Sequence, residues 1–195
     1  MSVGAVRSQA TETAIVDAAE AILDENGFDG FTIEAVAKRA RASKPTIYRW
    51  WGDKVRLILD AHFRTRKVVE TPPDTGSLRS DLIFLLKKLW RQHWAVEANA
   101  NISRMLMAQV LIKDDLHAPY RNEYLAKRGQ PFLVVLARGK DRGELPRETD
   151  TNELWEYMQG YLLYRLMLRD PMSDQQIEHY VDTMTRIAAK NVKAS

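Results

Sequence analysis

The chain has no cysteine. Disulfides, thiol nucleophiles and Cys-ligated zinc are thereby excluded, and a reducing compartment suits it. It also lacks any run of about 18 apolar residues, so no segment reads as a membrane-spanning helix. Near the N-terminus no apolar core of signal-peptide length follows Arg7, because Glu12 and Asp17 interrupt it. A cytoplasmic protein is the expectation. Charge of one sign is scarce too: 29 Lys and Arg against 26 Asp and Glu leave +3, too little to argue for nucleic acid by itself. No HExxH, nucleophile elbow or phosphate-binding glycine loop occurs. His93 with Glu97, and His117 with Asp114 and Asp115, have no further ligand at a recognisable spacing, and Asp141, Glu144 and Glu148 read as loop charges. No enzyme chemistry, metal or cofactor is expected.

What is present is unevenly placed. Between Lys38 and Arg56 the cations Lys38, Arg39, Arg41, Lys44, Arg49, Lys54 and Arg56 meet one acid, Asp53, whereas Glu12 to Glu34 holds acids and no Lys or Arg. A short basic block in a near-neutral chain is a local patch suited to an anionic partner. Helical spacing dominates elsewhere, and an all-α fold of about nine helices follows. Ile15, Ala18, Ala19, Ile22 and Leu23 form one amphipathic stripe that ends near Asn26-Gly27. Thr32 is placed to cap a short helix from Ile33 to Ala40. Ser43 caps the next, with Pro45 in its first turn, where the missing N–H costs nothing. Gly52 stops that helix near Trp51, and Asp53 caps a longer one.

Thr71-Pro-Pro-Asp-Thr-Gly76 is the clearest break. It divides residues 1–70, a helix-turn-helix domain with a connecting helix from about 54, from residues 77–195. Beyond the break, Leu78 to Trp94 and Ile102 to Leu111 read as helices. A third runs from about Pro119 to Lys140, with Pro131 as a kink or break. Asp150-x-x-Glu153 and Ser173-x-x-Gln176 have the capping-box form and open two final helices.

The stretch Thr32 to Lys54 reads as helix, tight turn, helix, with short polar and basic side chains at the start of the second. A recognition helix needs this, because its first turns enter the major groove while its backbone N–H groups face phosphate. Lys44 and Arg49 can donate to guanine O6 and N7, and the Thr46 methyl can meet a thymine methyl. The Tyr48 hydroxyl suits a phosphate oxygen, and Lys54 can clamp the flanking backbone. Thr32, Arg41, Pro45 and Trp50 complete the candidate DNA-binding set, with Trp51 assigned to the core.

In register along this stretch stand Gly27-Phe28, Thr32-Ile33, Val36-Ala37, Ser43-Lys-Pro-Thr-Ile-Tyr48, Trp50-Trp51 and Asp53-Lys54. On these residues the chain resembles the TetR family of transcriptional regulators. Arg41 stands where that family's turn usually has glycine. The resemblance implies a homodimer on a palindromic double-stranded DNA operator. It also implies a C-terminal helical domain that dimerises and binds a small-molecule effector, most simply one that relieves repression. Trp90, His93, Trp94, Met105, Met107, Trp155, Met158 and Tyr161 are candidate ligand-pocket residues. Leu154, Tyr161, Tyr164, Leu168, Ile177, Tyr180 and Met184 are candidate dimerisation residues, since little polar surface remains on the helix from Leu154 to Leu168.

Overall fold

Ile15, Val16, Ala18, Ala19, Ile22 and Leu23 form the buried face of α1 (Gln9–Asn26). This is the first element of a computed structural model that describes residues 8–64, 69–94 and 97–191, the side chains of 93, 97–99, 190 and 191 excepted. Gly27, with φ 67°, ends the helix. α2 (Ile33–Ala40) begins where the Thr32 hydroxyl accepts the Ala35 N–H at 3.2 Å. α3 (Lys44–Trp51) begins where Ser43 accepts that of Thr46 at 3.2 Å, and α4 (Lys54–Arg64) follows. α1 packs against α2 and α4, and α3 against the same two helices. Phe31, Val36, Ile47, Leu57 and Ile58 fill the space between them. Trp51 closes this core, and its indole N–H donates to Asp60 Oδ2 at 2.6 Å.

The turn from α2 to α3 is a left-handed helix stop made by Arg41, at φ 52° and ψ 37°. Ala42 N–H reaches the Ala37 carbonyl at 3.0 Å and Arg41 N–H that of Lys38 at 3.4 Å, the paired bonds of a Schellman motif. Glycine pays no Cβ penalty in this conformation and arginine does.

The remaining elements are α5 (Leu78–Trp94), α6 (Glu97–Ile112), α7 (Asp114–Pro119), a π-helical segment (Tyr120–Leu125), α8 (Ala126–Asp141), α9 (Thr151–Met167) and α10 (Asp174–Asn191). α7, the π segment and α8 are continuous. The described residues therefore hold nine helical bodies and no strand, an all-α fold. Of the kink or break expected at Pro131, the break is not there. Pro131 is buried inside α8 without ending it, and the irregularity lies earlier, where Ala126 N–H reaches back five residues to the Arg121 carbonyl. Of the two expected capping boxes, the one at Ser173 forms in full, whereas at Asp150 only the N-cap half does, because the Glu153 carboxylate accepts from the Tyr157 hydroxyl instead. Asp150 accepts from the N–H groups of Asn152 and Glu153 at 2.8 and 3.2 Å, and Ser173 and Gln176 bond reciprocally at 2.8 and 3.2 Å.

By contact the chain divides into two compact units, Met1–Lys67 with Asn101–His117, and Val68–Ala100 with Ala118–Ser195. This grouping follows space, whereas the division expected from the sequence, at 70 and 77, follows the chain. In the first unit, His62 Nε2 and Ser103 Oγ share a buried hydrogen bond of 2.9 Å, and Lys113 pairs with Asp53. In the second, α5 packs on α8 and α10, and α9 on the same two. Leu82, Leu86, Phe132, Leu136, Trp155, Met158 and Val181 lie in the shared core. Charges seam α5 to α10: Arg79 to Asp182 at 2.6 and 3.1 Å, and Lys87 to Glu178 at 2.8 Å. The Thr71–Gly76 stretch is tied to this unit, because Arg138 donates to the Pro73 carbonyl at 3.1 Å and Thr75 N–H to Asp81 at 3.0 Å.

Replacing Arg41 by glycine removes the left-handed penalty and is expected to stabilise the protein by about 1 kcal/mol. Urea denaturation checks this; an unchanged or lower midpoint would contradict the assigned turn.

Candidate nucleic-acid interface

The eight residues of α3 turn two side chains inward, Ile47 and Trp51. Everything else on the helix is at least partly open. Ser43, Lys44, Pro45, Tyr48 and Arg49 are exposed, and Thr46 and Trp50 are half-buried. Ser43 and Thr46 share a 2.8 Å hydrogen bond between their hydroxyls, which occupies the polar end of Thr46. Trp50 and Trp51 lie tilted to each other with ring centroids 5.8 Å apart. The capped start of α3 thus presents a cation, a phenol and a guanidinium on one open surface, beside backbone N–H groups that favour an anion.

The cations around this surface are not equivalent. Lys44 pairs with Glu34 of α2 at 3.0 Å. Arg39 is held bidentately by Glu25 at 2.7 and 2.8 Å, which withdraws it from the basic block. Lys54 heads α4 and sits over the Phe28 ring, 5.6 Å from its centroid, a cation–π contact. Asp53 accepts from Arg56 N–H at 3.0 Å and from Lys113. Burial alone would raise its carboxyl. The hydrogen bonds from Lys113 and from the Arg56 and Val55 backbone outweigh that and hold it below the usual carboxylate range. Arg41 and Thr32 are exposed, with the Thr32 oxygen engaged in its cap.

A sequence profile of bacterial regulatory proteins of the tetR family matches residues 15–61, and one of the tetracyclin repressor-like C-terminal domain matches residues 72–184. The chain belongs to the TetR family. It is 32% identical over 172 residues to the HTH-type transcriptional regulator Rv1556 of Mycobacterium tuberculosis, covering 88% of this chain and 84% of that one. It is also 32% identical over 180 residues to the DNA-binding transcriptional repressor TetR of Mycobacteroides abscessus, covering 90% and 92%. Among solved structures, the TetR family transcription regulator SCO0332 superposes with a TM-score of 0.78 at 26% identity, covering 91% of this chain and 98% of that one. As a TetR-family member the chain is a helix-turn-helix, DNA-binding transcriptional regulator.

The C-terminal candidates of this TetR-family chain do not form one group. Trp90, Trp155 and Met158 belong to the buried core of the second unit, with Trp94 packed against it. Trp90 and Trp94 have centroids 5.6 Å apart, and Trp155 stacks on Phe132 at 4.3 Å. The buried Trp90 indole N–H has no hydrogen-bond partner among the described residues. In the same unit burial lowers the Arg128 guanidinium to about 10 and pushes the nearby Tyr120 phenol up to about 12. Met105 and Met107 group with the first unit, and the His93 and Glu97 side chains lie outside the described residues. Among the described residues no three His, Asp or Glu gather as a metal site.

Of the candidate dimerisation residues, Leu154, Ile177 and Tyr180 are buried in this chain's own core, which withdraws them from any partner-facing surface. The Tyr180 hydroxyl donates to the Met158 carbonyl at 2.8 Å, and its ring stacks on Tyr161 at 4.7 Å. Tyr164 and Leu168 are exposed, Tyr161 marginally so, and Met184 is half-buried. Two features of the first unit escape the sequence reading: the Glu34–Lys44 pair and the Asp53–Lys113 pair. No local motif signals either, because both join residues brought together only by helix packing.

The Glu34 carboxylate screens Lys44 on the surface that carries the recognition helix. Glu34→Gln is therefore expected to raise affinity for arbitrary duplex DNA and to steepen the salt dependence of log K by up to about 0.9, one phosphate contact. Fluorescence anisotropy at several salt concentrations reads both, and unchanged non-specific binding would show the pair to be inert.

Proposed function

We propose that the chain is a homodimeric repressor whose N-terminal domain, residues 1–70, reads a palindromic operator, and whose domain from 77 to 195 binds the effector that releases it. The observation that carries the reading is the open, capped start of α3. Lys44, Thr46, Tyr48 and Arg49 project there from a helix whose other face is fixed by Ile47 and Trp51. Arg49 is the principal base reader, since no acid pairs with it among the described residues, while Lys44 must first share or leave Glu34. Thr32, Arg41, Tyr48 and Lys54 contact phosphate, and Pro45 and Trp50 fit the helix against the groove. The repressor named in Mycobacteroides abscessus supports the direction of control.

Two copies supply the two half-sites of a palindrome. The exposed tyrosines of α9 support the dimer, and the aromatic core with its unpartnered Trp90 donor supports an effector site, because a buried orphan N–H calls for an acceptor. Release follows if the effector prefers the spacing of recognition helices that does not match DNA. Operation in the cytoplasm is consistent with the absence of any described helix long and apolar enough to cross a membrane.

Selection of bound sequences from a random DNA pool should enrich a palindrome; binding to any DNA with equal, salt-sensitive affinity would refute the specific reading. On the selected site Arg49→Ala is expected to cost about 1–3 kcal/mol and relax specificity at one position. Lys54→Ala should weaken all sequences alike and flatten the salt slope by about 0.9. An Arg49→Ala protein with normal operator affinity would overturn the assigned reader.

A further inference from the structure

Leu78 and Gly139 fix the register of α5 against α8. A Cβ on Gly139 would come within 2.9 Å of the Leu78 side chain, so the start of α5 lies on the end of α8 and the two run antiparallel through the shared core. At about 1.5 Å per residue along each helix, this register brings Trp90 level with Arg128 and Gly129. α9 reaches the same level, because a Cβ on Gly129 would come within 2.5 Å of Trp155 Nε1. The π-helical segment ends directly before α8, and its Tyr120 phenol and the Arg128 guanidinium act on each other electrostatically. Over the spacing from Tyr120 to Arg128 a plain α-helix would leave the two about 80° apart around the axis; the extra residue of the π turn removes most of that angle. All of these residues lie in the second unit.

The polar groups gathered there are donors. Trp90 is 5% exposed, and its indole N–H has no hydrogen-bond partner among the described residues. An indole can only donate, and so can a guanidinium. The Arg128 side chain keeps some contact with solvent, yet its surroundings desolvate it enough to lower it to about 10. It is still charged at neutral pH, while the Tyr120 phenol, pushed up to about 12, is neutral. The pair therefore carries one positive charge. An orphan donor calls for an acceptor, and a partly desolvated cation favours an anion. One positive charge suits a monoanion, since a dianion would leave its second charge in the same desolvated surroundings. A planar carboxylate also matches the guanidinium fork. Beside these donors are apolar ring faces: Trp94 lies 5.6 Å from Trp90, and Trp155 stacks on Phe132 at 4.3 Å.

Resting on the effector reading above, we propose that the effector is an organic monocarboxylate with a flat apolar body. Arg128 and the Trp90 N–H hold its carboxylate, and the rings of Trp94 and Trp155 flank its body. The π turn is what brings Tyr120, a neutral donor, round to the same side, in keeping with the frequent occurrence of such turns at functional sites.

Calorimetric titration of the full-length protein with benzoate, cinnamate and phenylacetate, and with the amide of each, tests the class. At least one acid should bind about tenfold or more tightly than its amide, the difference that a charge-assisted hydrogen bond makes. Arg128→Gln should lose that preference and bind the amide as the parent does, with an unchanged far-ultraviolet helical signal. Arg128→Lys keeps the charge without the fork and should retain part of the preference. Trp90→Phe should weaken acid and amide alike, because an oxygen of either accepts from the indole. Amides that bind as tightly as the acids, a persistent preference in Arg128→Gln, or no binding by any of the acids would each overturn the carboxylate class. Acids that bind with the expected preference but leave operator affinity unchanged would overturn the effector reading and leave the carboxylate site in place.

Discussion

Between Ala40 and Lys44 the chain has three residues in which to end one helix, reverse direction and begin another, and the geometry of the first unit depends on that turn. The left-handed Arg41 closes α2 through the Ala42-to-Ala37 bond, and two residues later the Ser43 hydroxyl takes up a free N–H of α3. Neither device tolerates much slack, since each fixes backbone dihedrals through a specific hydrogen bond. With the turn set, Ile47 and Trp51 reach the core, and the opposite side of α3 is obliged to face outward. The strain at Arg41 is thus local and small, while the orientation it maintains determines which side chains can meet DNA.

The second unit is held by different means. Its four packed helices share an apolar core, but α5 and α10 are also joined along their outer edges by Arg79, Lys87 and Arg91 against Asp174, Glu178 and Asp182. Such partly exposed pairs add little energy individually, yet opposite charges along two helices disfavour a slipped register. The same unit binds down its own entry segment, because Arg138 and Arg142 converge on Asp74 while the buried Asp81 accepts from Thr75. A proline-rich stretch that reads as a loose connector is therefore a fastened one.

Local chemistry explains how much of this was legible. α2, α3 and α4 begin where Thr32, Ser43 and Asp53 place their caps, and α3 ends at Gly52, because a cap is a bond within three or four residues and leaves a signature in order along the chain. The N-cap at Asp150 and the capping box at Ser173 are readable for the same reason. The π segment was not legible: Pro131 suggested a kink or break, but a helix can absorb a proline, and the extra residue entered at Tyr120–Leu125, directly after Pro119, which reads in the sequence as a helix start. The inward face of α9 was legible only in part. Leu154, Tyr161, Tyr164 and Leu168 are all largely apolar, so composition could not tell Leu154, which is buried in the core, from Tyr164 and Leu168, which are exposed. Partner residues distant in sequence, such as Glu34 with Lys44, required the packed helices before they could be seen at all.

The small demand that α3 makes on the core has a consequence over longer times. Two of its eight residues secure it, and its cap belongs to Ser43, outside the helix. Substitutions at Lys44, Thr46, Tyr48 and Arg49 therefore fall on positions that contribute little to folding, where most surface changes lie within about 0.5 kcal/mol. Selection can exchange them one at a time without passing through an unfolded intermediate. A duplicated copy of this gene could drift to a new operator while inheriting an intact scaffold, so the domain separates what must be preserved from what is free to diverge.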